Sequence, residues 1–375
     1  MSLSVIIAAG GTGGHMIPAH ALSEELMRRG HRVTLLSDAR GLRFPGLFEG
    51  AGRHVLESAT ASGANPFAWL KALIAVWKGR SQGRQIARDA GANAVVGFGG
   101  YPSLPGLLAG MSLGLPSLIH EQNAVLGRVN RMLQGRVSAI ALTYAQTARL
   151  NPAGKARAIV TGNPVREAIL ANRDIPYDAP DGAAPMRLLV VGGSQGARIL
   201  GQLVPEAVAR LPDAMRRRVR VQQQCRAEDL SSVAATYAAA GVDADCQTYM
   251  ADLPQRLASA HLVISRAGAS TMAELMAMGR PAILIPFAAA TDDHQTANAA
   301  GFVAAGAGLM LTEAEATVAK LSGMLKGFVQ SSETLRAAAA AARSLGVPDA
   351  AARLADRIEH EVRALARPDG IREAA

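Results

Sequence analysis

Polar side chains that could do chemistry recur in this sequence just beyond short apolar runs. His15 closes Gly10-Gly11-Thr12-Gly13-Gly14-His15, after the run 4–9. His120-Glu121-Gln122-Asn123 ends the run that starts at Pro116, and Tyr101 follows Gly99-Gly100 after the run 94–98. Farther on, Arg266-Ala267-Gly268-Ala269-Ser270-Thr271-Met272-Ala273-Glu274 follows the run 261–265, and Gln295 and Asn298 follow 283–286. Histidine changes charge near neutral pH. A carboxylate such as Glu274 offers two acceptor oxygens, which suits a vicinal diol such as that of ribose. Gln295 and Asn298 are spaced to share a helix face, and amides suit sugar hydroxyls because one side chain supplies both donor and acceptor. The same residues also spell ordinary helix starts, with Ser270 or Thr271 as cap, Glu274 at capping-box distance and an Asp before Gln295.

The elements that must position these groups are two strand–loop–helix units. The second glycine loop reads Gly192-Gly193-Ser194-Gln195-Gly196-Ala197-Arg198, after the apolar 187–191. Glycine lets backbone turn sharply and approach a ligand, and the following helix presents free N–H groups to an anion. Strand and helix signals alternate throughout, which implies parallel sheets with crossover helices. The expected fold is α/β, with two Rossmann-like domains whose parallel sheets face a shared cleft. Ligands in such sheets bind beyond the carboxyl ends of the strands, and that placement groups His15, Tyr101, His120, Glu121 and Asn123. The stretch 172–185, with three prolines and no periodicity, reads as the interdomain linker. The tail from Leu335 reads as two helices separated by Gly346-Val347-Pro348.

With 375 residues the chain is long enough for two domains. It is 49% hydrophobic but only 4% aromatic, so its cores must be aliphatic. Cys225 and Cys246 give no disulfide framework and suit a reducing compartment. The N-terminus runs straight into a strand, unlike a signal peptide, and no apolar stretch reaches the ~20 residues of a spanning helix. A net charge of +9 calls for an acidic partner, whether nucleic acid, anionic lipid or a phosphorylated substrate.

Taken in order, Gly-Gly-Thr-Gly-Gly-His, His-Glu-Gln-Asn, Gly-Asn-Pro-Val-Arg at 162–166, Gly-Gly-Ser-Gln-Gly-Ala, Arg-Ala-Gly-Ala-Ser-Thr and Asp-Asp-His-Gln resemble the MurG family of N-acetylglucosaminyltransferases. The resemblance covers about residues 4–310. It implies a GT-B fold, with an N-terminal acceptor and membrane domain over 1–165, a UDP-sugar domain over 166–349, and a last helix near 350–367 returning to the first. It implies transfer of N-acetylglucosamine from UDP-GlcNAc to the 4-hydroxyl of the N-acetylmuramyl unit of lipid I, with no cofactor or metal. Donor contacts would come from Arg166, Ser194, the backbone of Met250, Ala269, Ser270, Thr271, Glu274 and Gln295. Thr12, Gly13, Gly14 and Asn123 would meet the sugar and acceptor from the other domain, and Tyr101, His120 and Asn130 would bind the acceptor. Phe287-Ala288-Ala289-Ala290 lacks a second proline frequent in the family, and Thr291 replaces a frequent alanine.

Inverting sugar transfer needs a base for the attacking hydroxyl. His15 fits best, with Glu121 or His120 as rivals, while helix N-termini and Arg166 would hold the leaving UDP. Asp243-Ala244-Asp245 matches a metal-binding DxD pattern but reads as a solvated turn. Phe67, Trp69, Leu70, Leu73, Ile74, Val76 and Trp77 fall on one broad helical arc flanked by Lys71 and Lys78. That arc suits either a core helix or the headgroup boundary of an anionic membrane on the cytoplasmic face; a lipid-linked substrate favours the membrane. A nicotinamide-dependent oxidoreductase is the main rival class. Asp38, after the second strand, favours it, and the lack of G-x-G-x-x-G in either loop opposes it. A non-enzymatic nucleotide binder would leave His15 and 120–123 idle. Nucleic acid is not an expected partner, because aromatics for base stacking are few. A diacylglycerol sugar transferase is the nearest alternative within glycosyl transfer.

Overall fold

The computed structural model describes residues 2–41, 46–57, 66–193 and 196–366. The chain divides into two compact units, Met1–Arg166 with Pro348–Ala375, and Glu167–Val347.

The first unit holds β1 (Ser4–Ala8), β2 (Arg32–Ser37), β3 (Gly52–Val55), β4 (Ala94–Gly97), β5 (Ser117–Glu121), β6 (Ala139–Leu142) and β7 (Ala158–Val160). They form one parallel sheet in the order β3-β2-β1-β4-β5-β6-β7. β1 is apolar at every position because helices cover both faces of a parallel sheet. Val5 and Ile7 pack on one side with Met16, Leu22 and Leu26, while Ile6 packs on the other with Leu36 and Leu107. The helix Ala350–Ala366 completes the first of these layers with Leu354, Ala355 and Ile358. Arg29 pins it, donating to Asp356 at 2.6 Å and Glu359 at 3.0 Å. Residue 367, at the expected end of this helix, lies outside the described residues.

The second unit holds β8 (Met186–Val191), β9 (Val219–Gln224), β10 (Asp243–Gln247), β11 (Leu262–Ser265), β12 (Ala282–Leu284) and β13 (Gly308–Met310), all parallel, in the order β10-β9-β8-β11-β12-β13. Renumbered from its own start, this is the 3-2-1-4-5-6 order of nucleotide-binding α/β sheets. In each unit the strand order reverses beside the first strand, so the ligand crevice opens beyond β1 and β4, and beyond β8 and β11.

Two sequence expectations need correction. The stretch 172–185 is no linker but part of the second unit: Tyr177 Oη donates to the His261 carbonyl at 2.7 Å, and Ala179 enters the core. Its prolines mark an irregular path over a packed surface. Asp243-Ala244-Asp245 is no turn but the start of edge strand β10, where Arg220 pairs with Asp243 at 3.0 Å and Arg256 with Asp245 at 2.5 Å. The alternation of charged and small residues is what a half-exposed edge strand carries.

Candidate active site

In the first unit the loop after β1 is held from below by Asp38. One of its carboxylate oxygens accepts from Gly11 N at 3.1 Å and Gly41 N at 2.9 Å, and the other from Arg40 Nε at 2.8 Å. Burial opposes its charge, but Arg40 and the two amides outweigh that and hold the carboxyl below its usual range. Asp38 is thus occupied in shaping the loop, which removes the one feature that favoured a ribose-binding acid. Gly10 has no room for a side chain: a Cβ would lie 2.7 Å from Pro102 Cβ and 2.8 Å from Asp38 Oδ1. Thr12 is the exposed N-cap of the helix Gly13–Arg28, and its hydroxyl makes no cap bond. The amides of Gly13 and Gly14 belong to the first turn, which a helix leaves without intrahelical acceptors.

His15 is the third residue of this helix, half-buried, with its ring against the loop after β4. A Cβ on Gly99 would lie 3.6 Å from His15 Cε1, and one on Gly100 would lie 3.3 Å from Nε2. Both glycines have positive φ, and Gly100, at φ 70° and ψ 159°, occupies a region essentially reserved for glycine. Gly100→Ala is therefore expected to cost about 1–3 kcal/mol of stability and to displace the imidazole. Thermal melting and the imidazole NMR signals of His15 in the same preparation check both effects. Tyr101 follows, half-buried, at the start of the short 3-10 turn Tyr101–Ser103.

The 120–123 run is inside the protein. Glu121, 2% exposed, ends β5. One of its oxygens accepts from Asn123 N at 3.1 Å and Asn123 Nδ2 at 3.3 Å, and the other from Gly127 N at 2.8 Å and Asn130 Nδ2 at 2.9 Å. A carboxylate has about four lone-pair sites, so all are taken, and the expectation of Glu121 as a base is corrected to that of a loop anchor. Glu121→Gln would set an NH₂ group against N–H donors. A loss of about 1–3 kcal/mol is expected from the orphaned buried groups, read as a lower denaturant midpoint at unchanged m-value. His120 is fully buried against the Phe98 ring, and its Nε2 donates to the Gly162 carbonyl at 2.9 Å. Burial first of all, with the nearby His15 adding to it, outweighs the Gly162 bond and lowers the His120 pKa to about 4. Asn130 is equally buried, donating to Glu121 and to the His120 carbonyl. The expectation that His120 and Asn130 touch the acceptor is corrected likewise: His120 on β5 and Asn130 on the helix Arg128–Leu133 are both turned into the packed interior. Gln122, not among the candidate residues expected from sequence, lies between His15 and His120.

In the second unit the loop after β8 carries Gly193 and Gly196 at positive φ, and a Cβ on Gly192 would strike Ala197 N. Ser194 and Gln195 lie outside the described residues. After β11, Gly268 rather than Ser270 or Thr271 is the N-cap of the helix Ala269–Met278. The plain capping reading therefore fails, and Ala269, Ser270 and Thr271 form the first turn with Glu274 buried one turn on. Arg266 Nη1 donates to the carbonyls of Ile285 at 3.0 Å and Pro286 at 3.1 Å, with its guanidinium 5.2 Å over the Phe287 ring. Asn298 Nδ2 donates to the Ala267 carbonyl at 3.1 Å, and Gln295 Oε1 accepts from Phe287 N at 3.0 Å. These bonds lace the loops after β11 and β12 together at the strand ends. Met250 is buried, its carbonyl accepting from Leu253 N at 3.3 Å. Arg166 is the last residue of the first unit before the chain enters the second. Among the described residues no group of three or more His, Cys, Asp or Glu is placed to hold a metal.

Residues 5–142 match the model of the glycosyltransferase family 28 N-terminal domain, and residues 187–354 that of its C-terminal domain. The UDP-N-acetylglucosamine–N-acetylmuramyl-(pentapeptide) pyrophosphoryl-undecaprenol N-acetylglucosamine transferase of Zymomonas mobilis is 51% identical over 96% of this chain and 92% of its own length. The chain belongs to glycosyltransferase family 28, in the MurG group. The family 28 relative of the same name from Erythrobacter litoralis is 48% identical over 94% of this chain and 89% of its own. The crystal structure of Acinetobacter baumannii MurG superposes with a TM-score of 0.75 at 28% identity, covering 96% of this chain and 99% of that one. The GT-B fold and the glycosyltransferase class follow from this membership.

Proposed function

We propose that this glycosyltransferase moves N-acetylglucosamine from UDP-GlcNAc to the 4-hydroxyl of the N-acetylmuramyl unit of lipid I, making lipid II for peptidoglycan. The near-full-length identity to transferases named for that reaction supports the substrates. The observation that carries the mechanism is His15, an imidazole held on a glycine loop at the point where the strand order reverses. Its Nε2 takes the proton of the attacking hydroxyl. That oxygen forms a bond to C1 of the sugar as the C1–O bond to the β-phosphate breaks, inverting C1, and UDP leaves with the electron pair. The first-turn amides of Ala269–Met278, together with Arg166 and Ser194, stabilise the charge growing on the diphosphate. Glu274 accepts from the ribose hydroxyls, the backbone of Met250 meets the uracil, and Ala269, Ser270, Thr271 and Gln295 surround the diphosphate and sugar. Thr12, Gly13, Gly14, Asn123 and Tyr101 act from the first unit, on the sugar and on the acceptor. Transfer of labelled N-acetylglucosamine from UDP-GlcNAc to a lipid I analogue tests the reading. Donor binding without product would leave the UDP-sugar site and sink the acceptor.

The enzyme acts at the cytoplasmic face of the membrane in this reading, lying on it rather than through it. No helix among the described residues is long and apolar enough to cross a membrane. The helix Pro66–Asp89 packs inward through Ala72, Gly79, Gly83 and Ala87, where a Cβ on Gly83 would be 3.1 Å from Ala109 Cβ. Phe67, Leu70, Leu73, Ile74 and Trp77 stand on the opposite side, exposed. A core helix does not leave such a stripe in water. The side chain of Trp69 lies outside the described residues. Lys71 and Lys78 are exposed beside the stripe, and the net charge of +9 favours an anionic surface. The same net charge serves lipid headgroups and substrate phosphates, with no call for nucleic acid.

A further inference from the structure

A chain of hydrogen bonds runs inward from His15 and has a fixed direction. His15 Nδ1 lies 3.0 Å from Gln122 Oε1. Gln122 Nε2 lies 3.0 Å from His120 Nδ1 and 3.0 Å from the His120 carbonyl, and His120 Nε2 lies 2.9 Å from the Gly162 carbonyl. A backbone carbonyl can only accept. The Gly162 carbonyl therefore requires a proton on His120 Nε2, and since His120 stays neutral above about pH 4 its Nδ1 is bare. The His120 carbonyl independently requires the NH₂ end of Gln122 on its side, and that same group supplies the hydrogen His120 Nδ1 accepts. Both constraints turn Gln122 Oε1 toward His15. An amide oxygen accepts, so His15 Nδ1 must carry a proton, and in neutral His15 the lone pair is left on Nε2.

We propose that Gln122 is a positioning residue that holds His15 in the Nδ1–H tautomer, its own orientation dictated by His120 and the Gly162 carbonyl. The proposal deepens the reading of His15 as base and rests on it. Nε2 is the nitrogen beside Gly100, and a base must present a lone pair rather than a hydrogen to the attacking hydroxyl. When Nε2 takes the proton, Nδ1–H keeps its bond to Gln122, so nothing in the network reorganises during the step. Gln122 is 1% exposed, so no water replaces it as acceptor. Being neutral, it selects the tautomer without laying a negative charge against the ring.

The experiment is a long-range nitrogen–proton correlation spectrum of the full chain with ¹⁵N-labelled histidine, resonances assigned through His15→Gln and His120→Gln. The expected result for the unaltered protein is protonated Nδ1 and bare Nε2 at His15, and the reverse at His120. In Gln122→Met, which keeps length and apolar volume, the His15 signals shift toward a mixture of tautomers. Its kcat falls roughly tenfold or more, within the about 10²–10⁴-fold that a general base supplies, at unchanged KM for UDP-GlcNAc. A protonated Nε2 at His15 in the unaltered protein overturns the proposal, and that measurement needs no variant to fold. A Gln122→Met chain with the Nδ1–H signature intact, or with undiminished kcat, overturns it as well. The base assignment fails by a different sign: His15→Gln would transfer sugar at the full rate while the tautomer spectrum of the unaltered protein stayed as expected.

Discussion

His15→Ala is expected to bind UDP-GlcNAc as before and to lose about 10²–10⁴-fold in kcat. The separation of the two effects follows from the fold. The UDP-sugar contacts proposed in the second unit sit beyond β8, β10, β11 and β12, the last two loops laced by Arg266, Asn298 and Gln295, and none of those bonds reaches residue 15. Removing the imidazole also leaves its surroundings standing. The loop after β1 is held by Asp38 and the 120–130 segment by Glu121. Glu121 cannot step in as base, since its four acceptor positions are filled by Asn123, Gly127 and Asn130. Isothermal titration with UDP-GlcNAc and single-turnover transfer to a lipid I analogue measure the two quantities. A kcat within tenfold of the unaltered enzyme would remove His15 from the chemistry.

Replacing both Leu73 and Trp77 with glutamate is expected to abolish binding to anionic vesicles while the melting temperature holds. Leu73 is 64% exposed and Trp77 67%, so neither contributes much to the folded interior. Full burial of such a side chain in an apolar phase is worth about 1.5–3 kcal/mol, roughly tenfold or more in partition for each. The introduced charges add repulsion from anionic headgroups. Vesicle flotation at physiological salt, with a calorimetric scan of the same variant, gives both readouts. A variant that floats like the unaltered protein, or one that melts far earlier, would return the stripe to a structural role. Turnover of a water-soluble acceptor analogue should be spared, because the stripe and His15 lie on different elements.

The strands were the most legible part of the molecule, because apolar runs bounded by glycine have few other readings. Val5, Ile6 and Ile7 had to be buried on both faces, and the loops that follow had to turn at glycine. What sequence could not supply was rotation about the chain. It placed His120 and Glu121 near a strand end, and the family resemblance added Asn130, yet whether a side chain there meets a ligand or the core depends on the pleat, on the turn of the helix and on what lies over it. All three turned inward. Gln122 was hidden for the same reason: its importance comes from lying between two histidines far apart in number. Asp38 misled because its position suits two tasks, and only the amides of Gly11 and Gly41 and the Arg40 guanidinium decide between them. The 172–185 stretch misled because proline marks irregular backbone whether that backbone is loose or packed.

The path of the chain between the two units also sets an order of events during synthesis. The second unit ends at Val347 and is complete in sequence once that residue has been made. The first unit, though begun at the ribosome long before, still lacks Leu354, Ala355 and Ile358, which cover β1, and the partners of Arg29 at Asp356 and Glu359. A nascent chain therefore holds His15 on an unfinished layer until residue 359 has been made. An enzyme released early by truncation near residue 349 would carry an intact sugar-nucleotide fold beside an unsealed one.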